Sequence, residues 1–164
     1  MRFIHSSDSI NADAYLLVGA ENNAILYKYD LNQQTSEIVF EVSGSYDRFG
    51  YSVALNDDYV IVGDPSYSYE NFPNVGKVYI YTYSGEIYQE FQGAYRNASF
   101  GYSVSLGNNN TLVVGAPNNN PNSYSFVSSY FAIYSYLNNP DFWLPHFNFD
   151  FNIPSLTKSI YWIC

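Results

Sequence analysis

An all-β fold built from repeated units of four short strands is predicted by three observations. A pair of linked motifs recurs at one period, residues inside each unit alternate with a period of two, and no stretch of the 164 residues sustains helical spacing. The motif pair carries the most weight. Phe49-Gly50-Tyr51-Ser52-Val53-Ala54-Leu55 returns 51 residues later as Phe100-Gly101-Tyr102-Ser103-Val104-Ser105-Leu106. Each copy leads through a short polar turn into an apolar run, Tyr59-Val60-Ile61-Val62-Gly63-Asp64-Pro65 and Thr111-Leu112-Val113-Val114-Gly115-Ala116-Pro117, offset by 52. A degenerate earlier copy pairs Phe3-Ile4-His5-Ser6-Ser7 with Tyr15-Leu16-Leu17-Val18-Gly19-Ala20. A partial fourth starts at Phe151-Asn152-Ile153, with Ser159-Ile160-Tyr161-Trp162-Ile163 as its second strand.

The remaining strands follow from alternation. In Val78-Tyr79-Ile80-Tyr81-Thr82-Tyr83 aliphatic or β-branched residues face one side and tyrosines the other, and Ser84-Gly85 turns the chain into Glu86-Ile87-Tyr88-Gln89-Glu90-Phe91. The same hairpin is predicted for Ala24–Asp30 with Ser36–Glu41, and for Tyr130–Tyr136 with Phe142-Trp143-Leu144. Four strands in about 50 residues is the layout of a β-propeller blade. The whole of 1–164 reads as one repeat array with blades at 3–48, 49–99 and 100–150 and part of a fourth at 151–164. Because blades bury both faces, Tyr79, Tyr81 and Tyr83 are expected to pack between neighbours.

Composition narrows the function classes. Fifteen Asp and Glu against six Lys and Arg give a net charge of -9, which repels a phosphate backbone or an anionic lipid surface, so nucleic acid is not an expected partner. No run of about 18 apolar residues is present to span a bilayer, and Met1–Asp8 has no apolar core of the kind a signal peptide needs. With 20% aromatic residues the chain is expected to fold, and its single cysteine, Cys164, forms no disulfide or cysteine metal site within it.

Phe49-Gly50 with Gly63-Asp64-Pro65, and Phe100-Gly101 with Gly115-Ala116-Pro117, resemble the FG-GAP repeat, the blade unit of integrin α-subunit propellers and of many surface and secreted proteins. Each Phe can plug the gap between blades, each Gly lets backbone pass close by, and each Pro removes a donor where a strand ends. The resemblance implies a non-enzymatic protein- or glycan-interaction module with an adhesive role, extracellular or on a cell surface. It also implies that the loop after Gly-Ala-Pro and the loop entering Phe-Gly share a ligand-bearing face. By position those loops hold Tyr46, Asp47 and Arg48; Tyr67, Tyr69 and Phe72; Tyr95, Arg96 and Asn97; and Asn118. Exposed aromatic and Arg side chains are what interaction surfaces use. Calcium-binding members carry an Asp-x-Asp-x-Asp-Gly loop, whereas Asn56-Asp57-Asp58 and Gly107-Asn108-Asn109-Asn110 are too short or too poor in carboxylates and read as hairpin turns. Asp8, Asn11 and Asp13 form the one set worth testing for calcium, and no cofactor or metal is expected.

The sequence is poor in catalytic signatures. His5 and His146 are the two histidines and stand in no Ser-His-Asp or His-x-x-x-His spacing. The acidic residues suit turns and solvated faces, the glycines form no phosphate loop, and Asn97-Ala98-Ser99 and Asn109-Asn110-Thr111 match a glycosylation sequon that an Asn-rich chain meets by chance. Two alternatives stand beside the interaction module: an accessory propeller of a hydrolase whose catalytic domain lies outside this chain, and a truncated fragment without activity of its own. Propellers close with about four to eight blades. Three and a part leave open ends, so further repeats of a parent chain or self-association are expected to cover them.

Overall fold

The computed structural model describes residues 2–5, 13–20, 22–45, 47–107, 111–117, 129–135 and 144–151, with 2–5, 129–135 and 144–151 described by backbone alone. The strands are β1 (Arg2–His5), β2 (Asp13–Ala20), β3 (Asn23–Asp30), β4 (Thr35–Ser43), β5 (Ser52–Leu55), β6 (Val60–Asp64), β7 (Lys77–Tyr81), β8 (Ile87–Gln92), β9 (Ser103–Leu106), β10 (Thr111–Ala116), β11 (Ser129–Ser135) and β12 (Leu144–Phe151). They form three four-stranded antiparallel sheets, each a meander in chain order: β1 to β4, β5 to β8 and β9 to β12. The fold is all-β, with propeller-type sheets side by side and no closed barrel among the described residues. Strand β5 adjoins β9 on one side and β1 and β2 on the other, so first strands meet across the sheets while fourth strands form the outer edges.

The turns are made by the residues suited to them. Asp30 Oδ1 accepts from the amides of Asn32 and Gln33 at 2.8 and 2.9 Å, closing the β3–β4 hairpin. Asn56 Oδ1 accepts from the amides of Asp58 and Tyr59 at 3.0 and 2.9 Å, so Asn56-Asp57-Asp58 is a hairpin turn. The Asn56 side-chain amide also donates to the Gly107 carbonyl of the third sheet at 2.9 Å, which makes the same buried residue a tie between sheets.

Alternation sorts the middle sheet's side chains between two cores. Leu55, Val60, Val62 and Tyr81 pack toward the first sheet, with Leu17, Ala24, Leu26 and Phe49. Ala54, Ile61, Val78 and Ile80 pack toward the third, with Phe100, Leu106, Leu112 and Val114. Consequently every residue of β6 is buried, whereas β10 alternates. Tyr79, from its side of β7, and Tyr83, from the turn after it, pack against the first of these cores, and burial pushes the phenol of Tyr81 up to about 12 and those of Tyr79 and Tyr83 higher. Phe49 (2% exposed) and Phe100 (7%) occupy equivalent places, one at each junction. Burying such a ring contributes about 1.5–3 kcal/mol.

Glycine is required where the sheets approach most closely. A Cβ at Gly19 would lie 2.1 Å from the Gly50 carbonyl oxygen, and one at Gly63 would lie 2.3 Å from that of Gly101. The motif's apolar-run glycine therefore receives the Phe-Gly carbonyl of the following sheet. Gly50 and Gly101 themselves have φ of 82° and 85°, and their amides donate to Gly63 and Gly115 at 3.0 and 3.1 Å.

Three differences from the sequence reading have a local cause. The strand beginning at Val78 stops at Tyr81 because Thr82 turns, its amide donating to Glu86 and its carbonyl accepting from Gly85. The last strand of the third sheet is Leu144–Phe151, so of the expected Phe142-Trp143-Leu144 only Leu144 falls in it, and 142–143 lie outside the described residues. Its register shifts between Ile133 and Tyr134, leaving His146 as the extra residue beside Pro145, which lacks a donor, at the point where the ladder is interrupted. Phe151, placed by the period at the start of a fourth repeat, pairs with Ser129 as the last residue of β12, and 152–164 lie outside the described residues. Equivalent shifts fall at Leu26/Tyr27 and Ile80/Tyr81, so all three outer strands bulge at an aliphatic-Tyr step of the third strand. Bulges at outer edges add twist and blunt them against further pairing.

Candidate functional site

Because the strands run antiparallel in order, the segments 44–51, 65–76 and 93–102 all emerge at one end of the sheets. The first of them is fixed at several points. The Gly44 amide donates to Asn22, Tyr51 to Arg48, and the Arg48 amide to Ser66 Oγ at 3.1 Å. With Phe49 sunk below it, 5.4 Å from the Tyr79 ring, this loop presents Asp47, Arg48 and Tyr51 outward. Together with Gly19, Ala20 and Gly50 they line an open hollow of about 420 Å³ at the junction of the first and second sheets. A hollow of this volume accommodates one small ligand or one inserted side chain.

Rings extend the hollow toward the third sheet. Tyr51 and Tyr102, both exposed, stand 4.9 Å apart at 50°, and the Arg48 guanidinium carbon lies 5.7 Å from the Tyr51 centroid. The hydrogen bond with Tyr102 pushes the Tyr51 hydroxyl above its ordinary value, with desolvation adding to it. Both tyrosines follow Phe-Gly in their repeats, so their adjacency is a direct product of the period.

A second cluster lies on the middle sheet's own loops. Tyr69 and Phe72 exchange two backbone hydrogen bonds of 3.1 and 2.8 Å, which holds the tip of 65–76 as a small hairpin with both rings exposed. Segment 93–102 clamps it: the amides of Asn97, Ser99 and Phe100 donate to Pro73, Asn74 and Val75, and the Asn74 side-chain amide donates to Asn97 Oδ1 at 3.3 Å. Arg96 donates through Nε and a terminal nitrogen to the Asn71 carbonyl at 3.2 and 2.6 Å and lies 5.8 Å from the Phe72 ring. Its charge thus serves the loop's own structure, while Tyr95 beside it is exposed.

The residues expected to form a ligand face are therefore divided. Asp47 and Arg48 line the hollow; Tyr69, Phe72, Tyr95 and Arg96 belong to the clamped loops. Tyr67 is half-buried, with the Lys77 ammonium 4.8 Å from its ring. Tyr46 and Asn118 lie outside the described residues, as do Asp8 and Asn11 of the calcium set. Asp13, the third member of that set, pairs with Lys28 at 2.8 Å. Tyr51 and Tyr102 were missed as site residues although their position after Phe-Gly was visible. Also missed was Asp64, a fully buried carboxylate beneath this loop end, whose Oδ1 accepts from the Ser66 hydroxyl at 3.0 Å.

The family model of the FG-GAP repeat matches residues 32–81. The matched span runs from the turn before β4 to the last residue of β7, and so takes in Phe49-Gly50, Gly63-Asp64-Pro65 and the second-sheet side of the hollow, Asp47, Arg48, Gly50 and Tyr51, while Gly19 and Ala20 precede it. No curated protein matches the chain.

Proposed function

We propose that this chain, a β-propeller-type segment carrying an FG-GAP repeat, is a non-enzymatic recognition module that binds a protein or glycan ligand at its loop end, in an adhesive surface or secreted protein. The observation that carries the reading is the hollow at the first junction, where Asp47, Arg48 and Tyr51 meet around about 420 Å³ with Tyr102 alongside. These groups suit recognition: a ring face for an apolar or sugar surface, a guanidinium with fixed donor geometry, and a carboxylate acceptor a few atoms away. Holding the loop by backbone bonds lowers the ordering cost of binding.

Screening the chain against arrayed glycans and a panel of extracellular protein domains tests it. The expected result is a ligand whose affinity falls at least about tenfold in Tyr51→Ala and in Arg48→Ala. Ile87→Ala, on the exposed outer strand β8, is expected to bind as the unaltered chain does. Ligands insensitive to both loop-end variants would overturn the reading.

A further inference from the structure

We propose that Asp64 is a positioning residue that presets the hollow at the first junction, so that this junction, and not the one between the second and third sheets, is the built binding position; the inference rests on the loop-end reading above. Asp64 stands in Gly63-Asp64-Pro65 where the next repeat has Gly115-Ala116-Pro117 and the first has Gly19-Ala20. Ala116 is buried in the core, and packing at this motif position is thus satisfied by a methyl group. A carboxylate there is out of place on packing grounds, since a buried charge costs stability unless it is fully paired.

Asp64 is incompletely paired. It is fully buried, Oδ1 accepts from the Ser66 hydroxyl, the Ser66 and Tyr67 amides also bond to the carboxylate, and Oδ2 has no hydrogen-bond partner among the described residues. The nearby ammonium of Lys77, its ladder partner on β7, is committed to Glu90 of β8 at 2.7 Å and lies over the rings of Tyr67 and Tyr79. What the carboxylate does accomplish is visible one bond further on. With the Ser66 hydroxyl hydrogen held by Asp64, the lone pairs of its oxygen face the Arg48 amide, which donates to it at 3.1 Å. The relay runs from the core of the second sheet to the backbone of the residue whose side chain lines the hollow. Ala116 supplies no such acceptor to the second junction. Departures from packing rules of this kind are placed where function needs them.

Residue-resolved native-state hydrogen exchange tests the relay without any ligand, so its outcome is independent of whether a glycan or protein is ever found to bind. In Asp64→Ala the fold is expected to persist, because alanine is what the motif carries at 116, while the Arg48 amide exchanges about tenfold faster, the equivalent of one hydrogen bond. The Gly101 amide, bonded to Gly115 at the second junction, keeps its rate. Ser66→Ala is expected to reproduce the change at Arg48, and Asp64→Asn, which retains the Oδ1 acceptor, to restore protection. Unchanged Arg48 exchange in both alanine variants would overturn the proposal. So would a rise spread equally over Arg48 and Gly101, which is what a merely structural role would produce.

Discussion

Replacing Gly63 by alanine probes the contact on which the repeat depends. The added methyl would sit 2.3 Å from the Gly101 carbonyl oxygen and 2.3 Å from Ser52 Oγ, where ordinary contact begins at 3.4 Å. The hydroxyl can rotate away. The carbonyl belongs to the backbone of the next sheet and must withdraw by about 1 Å, opening the core that holds Phe100. Overpacking of this kind costs about 1–3 kcal/mol. The Ser52 Oγ to Gly101 hydrogen bond of 2.7 Å is lost as well, adding about 1 kcal/mol. The expected destabilisation is about 2–4 kcal/mol, or a fall in Tm of about 5–15 °C for a chain of this size. Urea and thermal unfolding of Gly63→Ala, Ser52→Ala and the double variant measure it. Removing the hydroxyl leaves the carbonyl clash in place, so Ser52→Ala is expected not to rescue Gly63→Ala. A double variant as stable as Ser52→Ala alone would show that the clash lies within one sheet and refute the argument from close approach between sheets.

Phe100→Ala, which empties the equivalent plug, is expected to lose about 3–5 kcal/mol in the same unfolding assay; a loss under about 1 kcal/mol would mean the ring is not at a junction. Asp64 provides a pH dependence. Burial raises its carboxyl above the ordinary value against the opposing pull of the Ser66 hydroxyl, the Ser66 and Tyr67 amides and Lys77. A raised folded-state value makes its contribution to stability greatest below the unfolded pKa of 3.8 and lost as pH rises through the folded one, so Asp64→Asn is expected to be more stable than the unaltered chain at neutral pH, with the gap closing in acid. Denaturation midpoints at both pH values decide, and a gap that widens in acid contradicts it. Tyr102→Phe is expected to lower the Tyr51 titration toward that of a free phenol, read by ultraviolet absorbance against pH; an unchanged curve would dissolve the pairing of the two hydroxyls.

The junctions were legible because space leaves few alternatives there. Only glycine admits the neighbouring carbonyl at 63, and only a large ring fills the gap at 49 and 100, so identity at a fixed period reported the contact itself. The division of Val78 and Ile80 from Tyr79 and Tyr81 was legible for a similar reason, since the pleat sends alternate residues to opposite cores. The outer strands were not. Where a fourth strand pairs depends on a bulge at the third strand's aliphatic-Tyr step, and no residue type demands one, so the run of β12 beyond Leu144 was not foreseen. Arg96 read as a free surface cation because its partner is the Asn71 carbonyl, 25 positions away, and backbone carbonyls leave no mark on a sequence. Asp64 was read only as a member of the repeat motif because its effect reaches Arg48 through Ser66. Its departure from alanine at an otherwise apolar motif position was the available signal.

The central claim is that successive sheets join by one recurring contact, a Phe from the entering loop set between two sheets. Proton NOEs from the rings of Phe49 and Phe100 test this most directly. The account predicts that Phe49 reaches methyl groups of both the first sheet, at Leu17 or Leu26, and the second, at Val60 or Val62, and that Phe100 reaches the second, at Val78 or Ile80, and the third, at Leu112 or Val114. NOEs from either ring confined to a single sheet would contradict it.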